Sequence, residues 1–171
     1  MVYDALELQR THARYNAWMN DRLLTSCSHL REDGRKRELS LPFGSLHGLW
    51  NHLCVADYLW LSRFEHTLLG FEFRGLDMEL FSDWKDLCAA RRGLDKRIQL
   101  FASRLTNERL AGTLRWQPAT RRGLHEQPFA FVLAHFWNHQ THHRGQITAT
   151  MELLGLDCGV TDLIVVPDEF G

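Results

Sequence analysis

No run of about twenty apolar residues occurs in this 171-residue chain, so nothing in it reads as a membrane-spanning helix. The N-terminus Met-Val-Tyr-Asp-Ala-Leu-Glu lacks the basic, then apolar, build of a secretory leader. A cytoplasmic protein with no membrane partner is expected. Cysteine is sparse and scattered: Cys27, Cys54, Cys88 and Cys158 form no C-x-x-C pair. That argues against a disulfide framework and a cysteine zinc knuckle, and leaves the four as small buried side chains. An excess of either charge is missing as well. Lys and Arg number 20 against 21 Asp and Glu, a net charge of −1, so no chain-wide basic field attracts a phosphate backbone and no nucleic-acid partner is expected. The densest basic stretch, Arg31 to Arg37, contains two acids and a glycine and reads as a solvated loop. No internal repeat or low-complexity segment is present.

What the sequence does have is helical period. Ala5, Leu8, Tyr15, Trp18, Met19, Leu23 and Leu24 step by three and four between Asp4 and Leu30. After a capping Ser45, a second helix to about Gly70 carries Leu46, Leu49, Trp50, Leu53, Ala56, Leu59, Trp60 and Phe64. A third, from Ser82 to about Leu105, places Trp84, Leu87, Cys88, Leu94, Ile98, Leu100 and Phe101 inward, with Arg91, Arg92, Asp95, Lys96 and Arg97 outward. The fourth runs from Pro128 to Leu154 on Phe131, Val132, Ala134, Phe136, Ile147, Met151 and Leu154. Between Leu110 and Gln127 the pattern shortens to a small β-hairpin or extended loop, turning at Gln117 to Thr120. The apolar run Leu163 to Val166 is expected to pack across the other elements. Four long amphipathic segments in a chain of this size predict an all-α, four-helix bundle occupying residues 1–171 as a single domain. The connector Phe71 to Phe81 is long enough for a crossover, so spacing leaves the topology open.

The fourth helix contains His135, His139, His142 and His143, four of the chain's ten histidines within twelve residues. His139 and His143 are four apart, hence stacked on one helix face, and two imidazoles so placed can share a divalent ion. Such a pair also arises on solvated faces and as buried, hydrogen-bonded histidines. His142 competes with His143 for the same role, and His135 continues the row by one turn. In the zinc-protease pattern His-Glu-x-x-His the glutamate is a general base; here that position is Gln140, which excludes that chemistry. On the second helix His52 lies on the apolar row, while His47, five residues away and about 140° around, faces elsewhere.

Three stretches, Tyr15 to Asn20, Phe43-Gly-Ser with Asn51-His-Leu and Ala56 to Trp60, and Asn138 to Gln146, together resemble the DinB family of bacterial helical-bundle metalloproteins. The last is the most specific, and their order fits along nearly the whole chain. The resemblance implies an up-down-down-up bundle and one divalent metal ion held by three histidines, which map to His52, His139 and His143. His142 is then a neighbour rather than a ligand. His12, Tyr15, His135, His142 and Gln146 are candidate site lining, and Arg144 is expected at a helix–helix or subunit contact.

Three imidazoles leave coordination positions open, as in catalytic sites. The family resemblance includes thiol-dependent transferases and isomerases, so the expected activity is activation of a low-molecular-weight thiol cosubstrate toward an electrophilic small-molecule substrate. A hydrolase using metal-bound water and a non-catalytic, metal-binding stress-response bundle are the alternatives. Zinc or nickel is the expected metal, with iron or copper also compatible with three imidazoles, and a homodimer is expected.

Overall fold

The computed structural model describes residues 3–118 and 123–167. Three of the four long helices start where a short polar side chain satisfies their first free N–H groups. Asp4 accepts from the Glu7 amide at 2.8 Å ahead of α1 (Ala5–Cys27). A single turn, α2 (Glu32–Arg35), follows in the stretch expected to be loop. Ser45 accepts from the Gly48 amide at 3.0 Å and opens α3 (Leu46–Glu65). That helix stops short of Gly70 because His66 turns left-handed, at φ 55°. Asp83 caps α4 (Trp84–Ser103) and Thr106 caps the short α5 (Asn107–Ala111). The expected hairpin forms from β1 (Thr113–Trp116) and β2 (His125–Pro128), antiparallel with Thr113 opposite Pro128; part of its turn, including Thr120, lies outside the described residues. α6 (Phe129–Leu153) is tied to the hairpin base by the Phe129 amide, which donates to the Gly112 carbonyl at 2.9 Å.

Cross-helix pairs fix the directions. Asp21 meets Arg92 and Ser28 meets Trp84, so α1 and α4 are antiparallel. Asn51 bonds Phe81 just before α4 while Glu65 pairs with Arg97, so α3 and α4 are parallel. His52 lies beside His143 and Phe64 beside Phe129, so α3 and α6 are antiparallel. Gln9 bonds Trp137 and Asn16 bonds Arg144, so α1 and α6 are parallel. The bundle is therefore up-down-down-up, and the connector between α3 and α4 crosses its length. Trp50, Leu53, Leu24, Leu87, Ile98, Phe129, Phe136 and Ile147 fill one shared core, each such side chain contributing about 1.5–3 kcal/mol by leaving water.

Two groups placed outward by the pattern are inside. Arg91 is fully buried and Asp95 nearly so. Arg91 bridges Asp57 at 2.5 Å and Asp95 at 2.9 Å. Asp95 also accepts from Asn16 at 3.0 Å and Asn20 at 2.9 Å. Gln140 donates to Asp57 and Arg144 to Asn16, extending the network to all four long helices. Arg91, Asp57 and Asp95 can leave water here because each meets a partner of opposite sign, and Arg144 is held by Asn16. Burial still pushes the Asp57 carboxyl up to about 6, against the pull of Arg91. Conversely Leu8, Leu100 and Phe131, expected inward, are exposed: on α1 the buried positions include Asn16 and Asn20, and Phe131 lines an open cavity instead of the core. The chain after α6 does cross α1, with Asp157, Val160 and Thr161 carbonyls accepting from Ser26, Arg22 and Tyr15. The run Leu163 to Val166 takes little part in this, and Ile164 is 91% exposed.

Candidate metal centre

The antiparallel packing of α3 on α6 sets His52 against the His139–His143 pair. One donor nitrogen from each of the three lies within 4.8 Å of the others. His52 Nε2 and His143 Nε2 stand 3.1 Å apart. Tetrahedral coordination with zinc–nitrogen bonds of about 2.0–2.1 Å would hold two nitrogens roughly 3.3 Å apart.

The hydrogen bonds around these rings decide which nitrogen carries the proton. His52 Nδ1 is 2.8 Å from the Leu76 carbonyl oxygen in the crossover connector. A carbonyl can only accept, so Nδ1–H donates. His143 Nδ1 is 2.8 Å from Gln146 Oε1, one turn on in α6, and must donate as well. Both Nε2 atoms of the neutral rings are then lone pairs pointing at each other. His139 adds a buried Nδ1 with no partner among the described residues. Facing lone pairs and an orphaned imidazole nitrogen are unfavourable without a cation between them, and the donor set fits a divalent ion with each ring's far nitrogen oriented by the protein.

The rings are held neutral. Burial, reinforced by the neighbouring His143 and His52, pushes His139 down to about 3. Burial lowers His143 to about 4, and lowers His52 as well. Neutral imidazole is the form that binds a metal.

Phe43 covers the centre. Its ring stacks on His52 with centroids 3.8 Å apart and meets the edge of His143 at 5.7 Å. To do so Phe43 adopts a left-handed backbone, φ 64°, followed by Gly44 at φ 71°. The loop sits so close to α3 that a Cβ on Gly48 would lie 2.0 Å from the Phe43 carbonyl oxygen. Helical period alone gave neither residue a role; the Phe-Gly-Ser turn followed by a glycine in the next helix's first turn was the available signal.

The remaining candidates separate. His135 lies one turn from His139 in an adjoining cavity and meets the Trp60 ring at 5.3 Å. His142 is exposed at the edge of His143, with ring centroids 4.8 Å apart. Gln146 orients His143, as described. His12 and Tyr15 are not brought to the centre. His12 stacks on Trp137, on the opposite side of α6, and bonds its own helix at the Leu8 carbonyl; Tyr15 donates to Thr161 and packs under Arg144. Their place in the α1 row turns them toward the outer side of α6 and the C-terminal segment. Arg144 itself is buried between α1 and α6.

A cavity of about 510 Å³ opens beside His139 between α3, α6 and the hairpin. Its walls are mostly apolar, with Trp60, Trp116, Leu59, Leu76 and Phe131. Among the described residues no aspartate or glutamate lines it, so none of them supplies a carboxylate base there.

The DinB family model matches residues 3–168. The chain is 24% identical over 155 residues to Protein DinB of Bacillus subtilis strain 168, covering 86% of this chain and 87% of that one. Its fold is similar to the crystal structure of a DinB-like protein from Bacillus cereus ATCC 10987, with a TM-score of 0.60, 22% identity, and coverage of 85% of this chain and 90% of that one.

Proposed function

This chain belongs to the DinB family, and from that premise we propose that it is an enzyme in which His52, His139 and His143 hold one divalent ion that activates a low-molecular-weight thiol for transfer to, or isomerisation of, an electrophilic small molecule. The observation that carries the reading is the pair of Nε2 lone pairs facing each other at 3.1 Å, with both Nδ1 protons already committed to Leu76 and Gln146. A bound divalent ion supplies acidity, lowering the pKa of a thiol or water that joins it so that a nucleophile exists at neutral pH.

The rest is the work of the chain. The Leu76 carbonyl and the Gln146 amide fix the ring tautomers and make the ligands more basic. Phe43 screens one side of the centre from water. The cavity beside His139 gives an electrophile an apolar bed next to the ion. None of the protein's own thiols lines the cavity or joins the three-histidine cluster, and burial raises the pKa of all four. The proposed thiol therefore comes from outside the chain.

Elemental analysis of the purified protein beside His52→Ala and His142→Ala is the direct test. About one ion per chain is expected in the wild type and in His142→Ala, and almost none in His52→Ala. Consumption of a small thiol with 1-chloro-2,4-dinitrobenzene should then follow the ion content. Absence of metal after reconstitution would overturn the proposal, and ester turnover that needs no thiol would replace the thiol with water as the nucleophile.

A further inference from the structure

Along α3, His52, Ala56, Leu59, Trp60 and Arg63 fall in one stripe. Eleven residues at 100° each bring Arg63 to within about 20° of His52, roughly 16 Å farther along the axis. The 510 Å³ cavity lies along this stripe, with His139 at one end and Arg63 among its lining. The Arg63 guanidinium is 4.6 Å from the Trp60 ring centre. Among the described residues it has neither an acidic partner nor a hydrogen-bond acceptor, and none of the cavity's described lining is acidic. The comparable arginines all have oxygen partners: Arg91 has Asp57, Arg97 has Glu65, Arg109 has the Phe64 carbonyl and Arg144 has Asn16. Arg63 is half-buried with an aromatic face alone for company, and desolvation lowers its pKa.

A cation partly withdrawn from water and left unpaired costs free energy that an incoming anion returns through charge-assisted hydrogen bonds. The walls next to it, Trp60, Trp116 and Phe131, favour an apolar or aromatic body. We propose that the electrophile taken by this cavity is an extended organic anion, a carboxylate or sulfonate, with its charged end on Arg63 and its apolar body against Trp60 and Phe131. The length of the stripe sets the charged group well away from the reacting carbon, which the same orientation turns toward His139. Only this last part rests on the proposed metal chemistry; recognition of the charge does not.

The test uses full-length protein and two matched probes, the aromatic sulfonate 1-anilinonaphthalene-8-sulfonate and its uncharged parent N-phenyl-1-naphthylamine. Binding is read by quenching of tryptophan emission. The sulfonate should bind about tenfold more tightly than the parent, a difference that Arg63→Gln abolishes and Arg63→Lys partly restores. The uncharged probe and the thermal midpoint should be unaltered in both variants. Equal affinity for the two probes in the wild type, or a sulfonate preference untouched by Arg63→Gln, would overturn the inference. Repeating the titration on chelator-treated protein keeps the two proposals apart: the preference should survive loss of the ion, and a preference that vanishes with the ion would overturn the part assigned to Arg63. Protein that takes up no metal on reconstitution yet keeps the preference sinks only the metal reading.

Discussion

Replacing Gly48 with alanine should destabilise this protein, although the same change elsewhere in its helices should stabilise it. Gly48 stands in the first turn of α3, and a helical Gly→Ala exchange ordinarily gains up to ~1 kcal/mol from backbone entropy. Here the new methyl would meet the Phe43 carbonyl oxygen at 2.0 Å, more than 1 Å inside ordinary contact. The obstacle is backbone, so relief requires moving the 43–45 turn, whose φ angles at Phe43 and Gly44 are already left-handed. Overpacking of this kind costs about 1–3 kcal/mol, which set against the full propensity gain leaves a net loss of roughly 0–2 kcal/mol. Gly145 in α6 has nothing within 4 Å of its would-be Cβ and serves as the control, with an expected gain of up to ~1 kcal/mol. Urea unfolding of both variants in metal-free form, followed by circular dichroism, reads the difference directly. Because the turn carries the ring stacked on His52, Gly48→Ala should also bind metal more weakly in competition with a chromogenic chelator. A Gly48→Ala protein as stable as Gly145→Ala would refute the reasoning.

Three further outcomes are expected. Gln146→Leu removes the acceptor for His143 Nδ1 and should weaken metal binding about 10–100-fold without unfolding the protein; unchanged affinity in a chelator competition would show that the amide does not orient the ring. Asp57→Ala deprives Arg91 of one of its two buried partners and should lower stability by about 3–5 kcal/mol in denaturant titrations, a loss under 1 kcal/mol contradicting the account of the network. The metal-free protein should lose stability as pH falls from about 6.5, the unfolded histidine value. Folded His139 and His143, at about 3 and about 4, stay neutral while the unfolded chain takes up protons. Each contributes a slope of up to ~1.4 kcal/mol per pH unit, reduced where water reaches the ring. His52 adds in the same direction, and Asp57, raised to about 6, offsets about one of them. A urea midpoint that rises between pH 7.5 and pH 5.5 would reverse the sign and refute the argument.

The helices were legible because burial and period coincide along most of their length, and the cap at Ser45 marks the start of α3. The pattern failed where charge is buried. Arg91 and Asp95, four apart on an amphipathic helix, look like a surface ion pair, and only the approach of Asp57, Asn16 and Asn20 from other helices makes an interior of that position. The same network displaces Leu8 from the inward face it was assigned. At the centre, the spacing of His139 and His143 was visible in the sequence, but the choice against His142 came from the family resemblance. Neither source reveals the Leu76 carbonyl, because every residue has one and only the path of the crossover brings this one to His52. Gly48 went unread for a related reason, since its use depends on how closely a preceding loop returns to the helix.

The crossover that lays α4 parallel to α3 also governs when the centre can exist. His52 and His143 are 91 positions apart in the chain, and the carbonyl that orients His52 is 24 positions downstream. No short unfolded segment can bring these groups together, and closing loops of that length carries an entropic cost that only the packed helices offset. An unfolded or partly folded chain therefore offers little more than the His139–His143 pair on a transient helix. Tight binding at the three-histidine site is linked to complete folding. Free metal would act as a thermodynamic sensor of the native state, raising its stability by RT ln(1 + [L]/Kd) and making the melting temperature a function of metal concentration.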